Sequence, residues 1–337
     1  MPDIPEKMRA VQLQNYDGKP ESLSVAEIPV PRPGPGQVLV KVAASPINPS
    51  DLAFLAGMYG FKKPLPATPG FEGSGTVVAA GSGVMPRWLM GKRVACTAAD
   101  PKIAGGVWAE YVVTTAQFCV PLGASVEIEQ GAMMLVNPLS AWAMVELARS
   151  GEHKAIVQTA AASALGKMII RLGRKFGVPV INVVRRPEQV EVLRKMGAKH
   201  VLDSSAEGFD DELKKLANEL SATIGLDAVG GPLTGRVLRQ MPLGSRMYVY
   251  GGLSLRPCEV DPGQVIFEGK VLAGFWVSAW LARKSIVEKM KIARQVQKMI
   301  GNELKSDVQA KVPLQEAVKA VQQYMGNMIA GKVLLMP

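Results

Sequence analysis

From about residue 127 onward the chain alternates short, almost wholly apolar runs with helical stretches, and this alternation restricts its fold more than any other feature. IEQGAMMLVNPLSAWAMVELARS (128–150) reads as one helix. AIVQTA then leads into a helix through Leu172, and VPVINVV into the helix PEQVEVLRKMG, while HVLD, LDAVG and RMYVYGG supply three further strands. Repetition of this kind gives parallel strands joined by crossover helices. Strands apolar on both faces belong in a sheet covered on both sides. KVLAGFWVSAW (270–280) reads as a sixth strand, too apolar to be left as an exposed edge, with Phe275 and Trp276 on opposite faces.

Before residue 127 the signals are of another kind. VLVKVAA, GTVVAAG, KRVACTA and WAEYVVT are short strand-like runs separated by Gly- and Pro-rich turns such as PRPGPGQ and PATPGFEG. Frequent short strands with such turns make a barrel or sandwich. A basic helix at 283–298, a helix at 314–324 and a final strand KVLLM close the chain. At 337 residues two domains are expected. The last strand returns to the first of them, so the division is 1–127 with 279–337 around an inserted 128–278.

Composition narrows the function. Cys96, Cys119 and Cys258 are isolated, with no CxxC pair, so neither a disulfide framework nor a thiolate metal site is indicated. His153 and His200 are the only histidines and sit near strand edges, which leaves no histidine-centred zinc site and no metal ligand set. No apolar run reaches the roughly 18–20 residues that span a bilayer. MPDIPEKM lacks the blocks of a secretion signal, so a cytoplasmic protein is expected. The net charge of +10 comes from scattered Lys and Arg, densest on the solvated face of the 283–298 helix, and no nucleic-acid motif accompanies it.

The turn AAASALG at 160–166 stands where a dinucleotide fingerprint reads GxGxxG, with Ala161, Ser163 and Gly166 at the glycine positions. Gly166 permits close helix–strand packing, and the Ser163 hydroxyl caps the helix or meets a phosphate. Alone, the turn equally fits a small-residue packing contact; its neighbour decides. VINVV ends in Arg185 and Arg186, about 20 residues on, where an enzyme of NAD carries an acid for the ribose 2′-hydroxyl. Two guanidiniums there suit a 2′-phosphate, and NADPH is the expected cofactor.

Over nearly its whole length the sequence resembles the medium-chain dehydrogenase/reductase superfamily. The resemblance is carried by PGPGQVLVKV, INPSDLAF, PATPGFEGSG, AAASALG, GAKHVLD, DAVGG and GKVLLM. It implies an α/β fold with a GroES-like β-barrel domain plus a Rossmann doubly wound parallel-sheet domain. Within the superfamily the chain is similar to the zinc-free branch, since zinc alcohol dehydrogenases carry a cysteine and a histidine where it has Asn48 and Phe71. INPSDLAFLAGMYG, VQTAAASALG with INVVRR, and GFWVSAW lean toward the 2-enoyl thioester reductases; the quinone oxidoreductases remain the alternative.

The resemblance implies roles residue by residue. Tyr59 matches the proton-donating tyrosine, and Asn137 a residue lining the nicotinamide pocket. Ala161, Ala162, Ser163, Ala164 and Leu165 would cradle the pyrophosphate, with Val229 beneath the cofactor. Tyr250, Gly251, Gly252 and Leu253, and Phe275, Trp276 and Val277, would surround the nicotinamide, core packing being the other role open to the aromatics. Tyr59 is either the donor or a lid packed over the cofactor. The chemistry implied is hydride delivery to an activated C=C bond of an enoyl thioester or alkenal. From the residues themselves, the uninterrupted apolar strand 270–280 is expected to pair with its twofold mate in a homodimer, and no nucleic acid or membrane is expected as partner. A non-enzymatic NADPH-binding protein of the crystallin type, able to bind nucleic acid, is supported by the +10 charge alone.

Overall fold

The computed structural model describes residues 4–99, 101–103 and 105–337. The chain divides into two compact units, Met1–Asn137 with Ala293–Pro337, and Pro138–Ile292. The sequence reading put the divisions at 127/128 and 278/279. The helix Ile128–Ala132 lies in the first unit because Gln130 exchanges hydrogen bonds with the backbone of Ser306, and the Ser74 hydroxyl donates to the Ile128 carbonyl.

The first unit is a β structure. β1 (Lys7–Leu13) and β2 (Leu23–Pro29) form an antiparallel hairpin. The larger sheet holds β3 (Gln37–Pro46), β4 (Glu72–Ala80), β5 (Arg93–Thr97), β6 (Tyr111–Thr115) and β7 (Cys119–Pro121). β3 is its hub, pairing antiparallel with both β4 and β6. Val38, Val40, Val42, Val77, Val94 and Val112 turn one face of these strands into a buried core. Alternation of inward and outward residues makes that possible.

The second unit is a parallel sheet of β8 (Ile156–Gln158), β9 (Val180–Val184), β10 (His200–Asp203), β11 (Ile224–Asp227), β12 (Arg246–Val249) and β13 (Val271–Gly274). Its order, β10-β9-β8-β11-β12-β13, is that of a doubly wound dinucleotide-binding sheet, with the switch of direction between β8 and β11. β14 (Val308–Pro313) and β15 (Lys332–Met336) then rejoin the first unit, β15 pairing antiparallel with β3. No helix among the described residues is long and apolar enough to cross a membrane.

Two sequence expectations need correction. The stretch 128–150 is two helices, Ile128–Ala132 and Asn137–Ser150. Pro138 has no N–H and excludes a helical turn before it, and a buried carboxylate takes the N–H groups of Leu135 and Val136 in the break. The run 270–280 is not one strand either. β13 ends at Gly274, and Val277–Ala282 is a helix capped at Trp276. Phe275 and Trp276 therefore lie in a strand-to-helix turn and do not alternate across a sheet. An apolar run of this length does not distinguish strand from helix by itself.

Candidate functional site

The register of the parallel sheet sets Asn182, Gln158, Leu226, Tyr248 and Ala273 in one row across it. The sequence-predicted residues of the second unit lie just past that row, along the C-terminal edge of the sheet. That edge, at the switch point, is where open α/β sheets bind ligands.

The β8 turn is built tightly. Ala160 adopts a left-handed conformation at φ 48°, the twist that a glycine would take without strain. Ala161 and Ala162 are buried, and the Ala161 N–H donates to the Val183 carbonyl. Ser163 caps the helix Ala164–Phe176, its hydroxyl oxygen accepting from the Gly166 N–H at 3.1 Å. A side chain at 166 would meet the Ala161 carbonyl oxygen at 2.4 Å, so only glycine fits. Past β9, Arg185 and Arg186 are exposed, and neither guanidinium has an ion-pair partner among the described residues. Glu188 sits in the first turn of the next helix, Pro187–Lys195, as an N-terminal acid should.

At the end of β11 a residue that sequence reasoning missed organises the edge. Asp227 is fully buried; its carboxylate accepts from the hydroxyls of Thr159 and Thr234, each at 2.6 Å, and from the N–H of Val229 at 2.8 Å. Thr159 in turn accepts from the Ala228 N–H. The turn holding Val229 is thereby tied to β8. The signal available was an acid closing an apolar strand in LDAVGG.

Next to it, Gly251 admits the Ala228 backbone, whose carbonyl oxygen would stand 2.8 Å from any Cβ. The Tyr250 hydroxyl is buried without a hydrogen-bond partner, and burial together with the Asp227 charge pushes its pKa well above the ordinary tyrosine value. Gly252 and Leu253 are exposed, as is Trp276, while Phe275 and Val277 are half-buried. A buried orphan hydroxyl and two cations without an ion-pair partner among the described residues, all on one sheet edge, fit a bound dinucleotide phosphate, whose oxygens and carboxamide offer the missing partners.

In the first unit Tyr59 follows the helix Pro49–Leu55. Its ring lies 4.4 Å from that of Phe71 and 5.2 Å edge-on from Phe61, in a cluster with Phe54 and Tyr16. Behind Phe71 is a buried polar cluster that the sequence reading did not find. Asp51 accepts from the N–H groups of Phe71 and Asn48. Glu72 accepts from the Asn48 amide and from the N–H groups of Leu135 and Val136. The Lys332 ammonium donates to the Asn48 side-chain carbonyl. Asn137, next after Val136, is buried and begins the helix Asn137–Ser150. Burial pushes the Asp51 and Glu72 carboxyls up to about 7 and holds Lys332 down at about 8.

A zinc ion is not fitted by these residues. Asn48 is a neutral amide engaged on both sides, Phe71 has no donor, and an ammonium stands beside them. Among the described residues no group of three or more His, Cys, Asp or Glu is placed to hold a metal. His153 is engaged with the Thr223 hydroxyl at 2.7 Å.

Comparison with known proteins agrees with this architecture. The family profile described as alcohol dehydrogenase GroES-like domain matches residues 34–124, and that described as zinc-binding dehydrogenase matches residues 164–293. The mitochondrial enoyl-[acyl-carrier-protein] reductase of Arabidopsis thaliana is 31% identical over 281 residues, covering 80% of this chain and 72% of that protein. The human mitochondrial enoyl-[acyl-carrier-protein] reductase is 29% identical, covering 98% and 89%. A crystal structure of a provisionally assigned NADPH:quinone reductase from Mesorhizobium loti is 39% identical, with a TM-score of 0.91 over 99% of this chain and 100% of that one.

Proposed function

Since this chain belongs to the medium-chain dehydrogenase/reductase superfamily, we propose that it is an NADPH-dependent, zinc-independent reductase of activated C=C bonds, acting on an enoyl thioester or alkenal. The observation that carries the reading is the C-terminal edge of the parallel sheet. There Arg185 and Arg186, with no ion-pair partner among the described residues, stand one strand away from the Ser163-capped turn. Their forked donors suit the 2′-phosphate, and the tight turn brings backbone N–H groups to the pyrophosphate. NADPH, when bound, supplies the hydride. The chain's own residues do the rest. Asp227 fixes the turn bearing Val229, and Tyr250 offers its buried hydroxyl as a donor. Tyr59 protonates the α-carbon as the enolate forms, its phenol O–H serving as general acid.

A second reading, NADPH:quinone oxidoreduction, draws on the 39% identity to the Mesorhizobium loti protein. A quinone accepts hydride with less need of a dedicated acid. The two are separated by assaying crotonyl-CoA, 2-alkenals and quinones with NADPH and with NADH. The proposal expects NADPH oxidation with the enone substrates, faster than with quinones. Faster turnover of quinones favours the second reading, and no turnover with any acceptor leaves the crystallin-type binding protein.

The homodimer and the cytoplasmic setting belong to the same proposal. β13 ends its sheet, and Val271 and Leu272, which point to opposite faces, are both exposed, beside Val265, Ile266 and Phe267. An apolar edge uncovered on both faces suits pairing with a second copy. All three cysteines are free thiols, which suits a reducing compartment.

A further inference from the structure

Four polar side chains that the proposed chemistry does not touch are sealed inside the first unit: Asn48, Asp51, Glu72 and Lys332 are each no more than 2% exposed. They come from three places in the chain, the start of the helix Pro49–Leu55, the first residue of β4 and the first residue of β15. Burying two carboxylates and an ammonium is expensive, and apolar residues of similar volume commonly give equal or greater stability. What this cluster does instead is hold particular peptide groups.

One oxygen of Glu72 accepts from both the Leu135 and the Val136 N–H, at 2.8 and 2.9 Å, and the other accepts from the Asn48 amide at 2.9 Å. Those peptides precede the helix Asn137–Ser150 and have no helical partner of their own. Asp51 splits its oxygens between the Asn48 N–H at 2.8 Å and the Phe71 N–H at 3.0 Å. Asn48 joins the two halves, its carbonyl accepting from Lys332 while its amide donates to Glu72. Lys332 is further held by the Tyr324 hydroxyl at 3.3 Å.

We propose that Glu72 and Asp51 are positioning residues for the reduction site: their carboxylates, linked through Asn48 and Lys332, fix the peptides that aim Asn137 and seat the Phe71 ring against Tyr59. This rests on the reading of Tyr59 and Asn137 as residues of a reductase. One cluster thus sets both the group that meets the substrate and the group that meets the nicotinamide, so a disturbance at Lys332 reaches each of them.

The test uses the full chain with Glu72→Gln, which keeps size and one acceptor but presents an amide to the paired N–H groups. Hydrogen exchange of the segment 133–140 reads the geometry without turnover and is expected to quicken at least about tenfold, with the parallel-sheet segments unchanged. In the assay kcat is expected to fall about 10–100-fold, while the NADPH dissociation constant moves less than about threefold. If Glu72→Gln does not fold, the charge-balanced Glu72→Gln/Lys332→Met variant carries the same expectations. Unchanged exchange at 133–140 in a folded variant overturns the proposal, as does a kcat equal to the wild type. A wild type that reduces no acceptor fails the functional reading instead, and is recognised before any variant is compared.

Discussion

A side chain at Gly166 would stand 2.4 Å from the carbonyl oxygen of Ala161, inside any permissible contact. The helix Ala164–Phe176 therefore meets the end of β8 at a distance that only glycine allows. Gly166→Ala is expected to destabilise the protein by about 1–3 kcal/mol through overpacking against immobile backbone. Ala160→Gly, six residues earlier, acts in the other direction on the same turn. It relieves a left-handed alanine at φ 48°, so its stability should lie within about 1 kcal/mol of the wild type. Urea unfolding midpoints compare the two, and equal losses from both would refute this account of the turn.

Arg185 and Arg186 predict cofactor choice. Replacing both with Ala removes forked donors from the end of β9, and KM for NADPH should rise about 10–100-fold. KM for NADH should barely change, since NADH lacks the 2′-phosphate. Initial-rate measurements with each cofactor decide, and a parallel rise for both would place the 2′-phosphate elsewhere.

The buried carboxyls predict an unusual dependence of stability on pH. Burial raises Asp51 from 3.8 to about 7, the nearby Glu72 charge adding to it while the Asn48 N–H, Lys332 and the Phe71 N–H oppose. A carboxyl with a raised folded value binds its proton more tightly in the folded state. Its stabilising contribution is complete below pH about 4 and is lost as pH climbs to about 7. Lys332, held down at about 8 from 10.5, contributes fully only above 10.5 and loses that contribution as pH falls through about 8. Asp51→Asn should flatten the fall between pH 5 and 7 by up to about 1.4 kcal/mol per pH unit. Unfolding free energies at several pH values in that window test it, and parallel curves for variant and wild type would exclude Asp51 as the source.

Fold was far more legible in the chain than the site's interior. The parallel sheet announced itself because each of β8 to β12 lies in a largely apolar run beside a helix. β14 went unassigned although VQAKV alternates apolar and polar residues as a half-buried strand does. The cluster around Glu72 escaped for a deeper reason. Asn48, Asp51, Glu72 and Lys332 each look like a polar residue at the start of an element, where solvation is the ordinary fate. They meet because β15 returns to β3, setting Leu334 against Pro46, a pairing over nearly the whole chain length. Gln158 and Asn182 hide likewise in buried strands, their side chains joined at 2.7 Å. Local pattern does not reveal contacts of that range.

β13 carries the prediction on assembly. Leu272→Lys places a charge on an exposed apolar edge, and a pair of such edges cannot then meet without burying two like charges. Light scattering at micromolar concentration should show the wild type as a dimer and the variant as a monomer. A monomeric wild type would remove the edge-pairing proposal altogether.

Tyr59 is the residue on which the chemistry turns. Its ring is packed at 34° to that of Phe71 and edge-on to Phe61, which fixes the ring whether or not the hydroxyl reacts. Packing and proton donation therefore separate cleanly on removal of a single oxygen. Tyr59→Phe keeps both ring contacts, so folding and NADPH affinity should be preserved. If the hydroxyl protonates the enolate, kcat with an enoyl thioester should fall about 10²-fold or more under conditions where chemistry limits the rate. The fall with a quinone should be much smaller, because a reduced quinone draws its protons from water readily. Near-normal kcat on the thioester would make Tyr59 a packing residue. The buried hydroxyl of Tyr250, already without a partner, would then be the next donor to test by the same substitution.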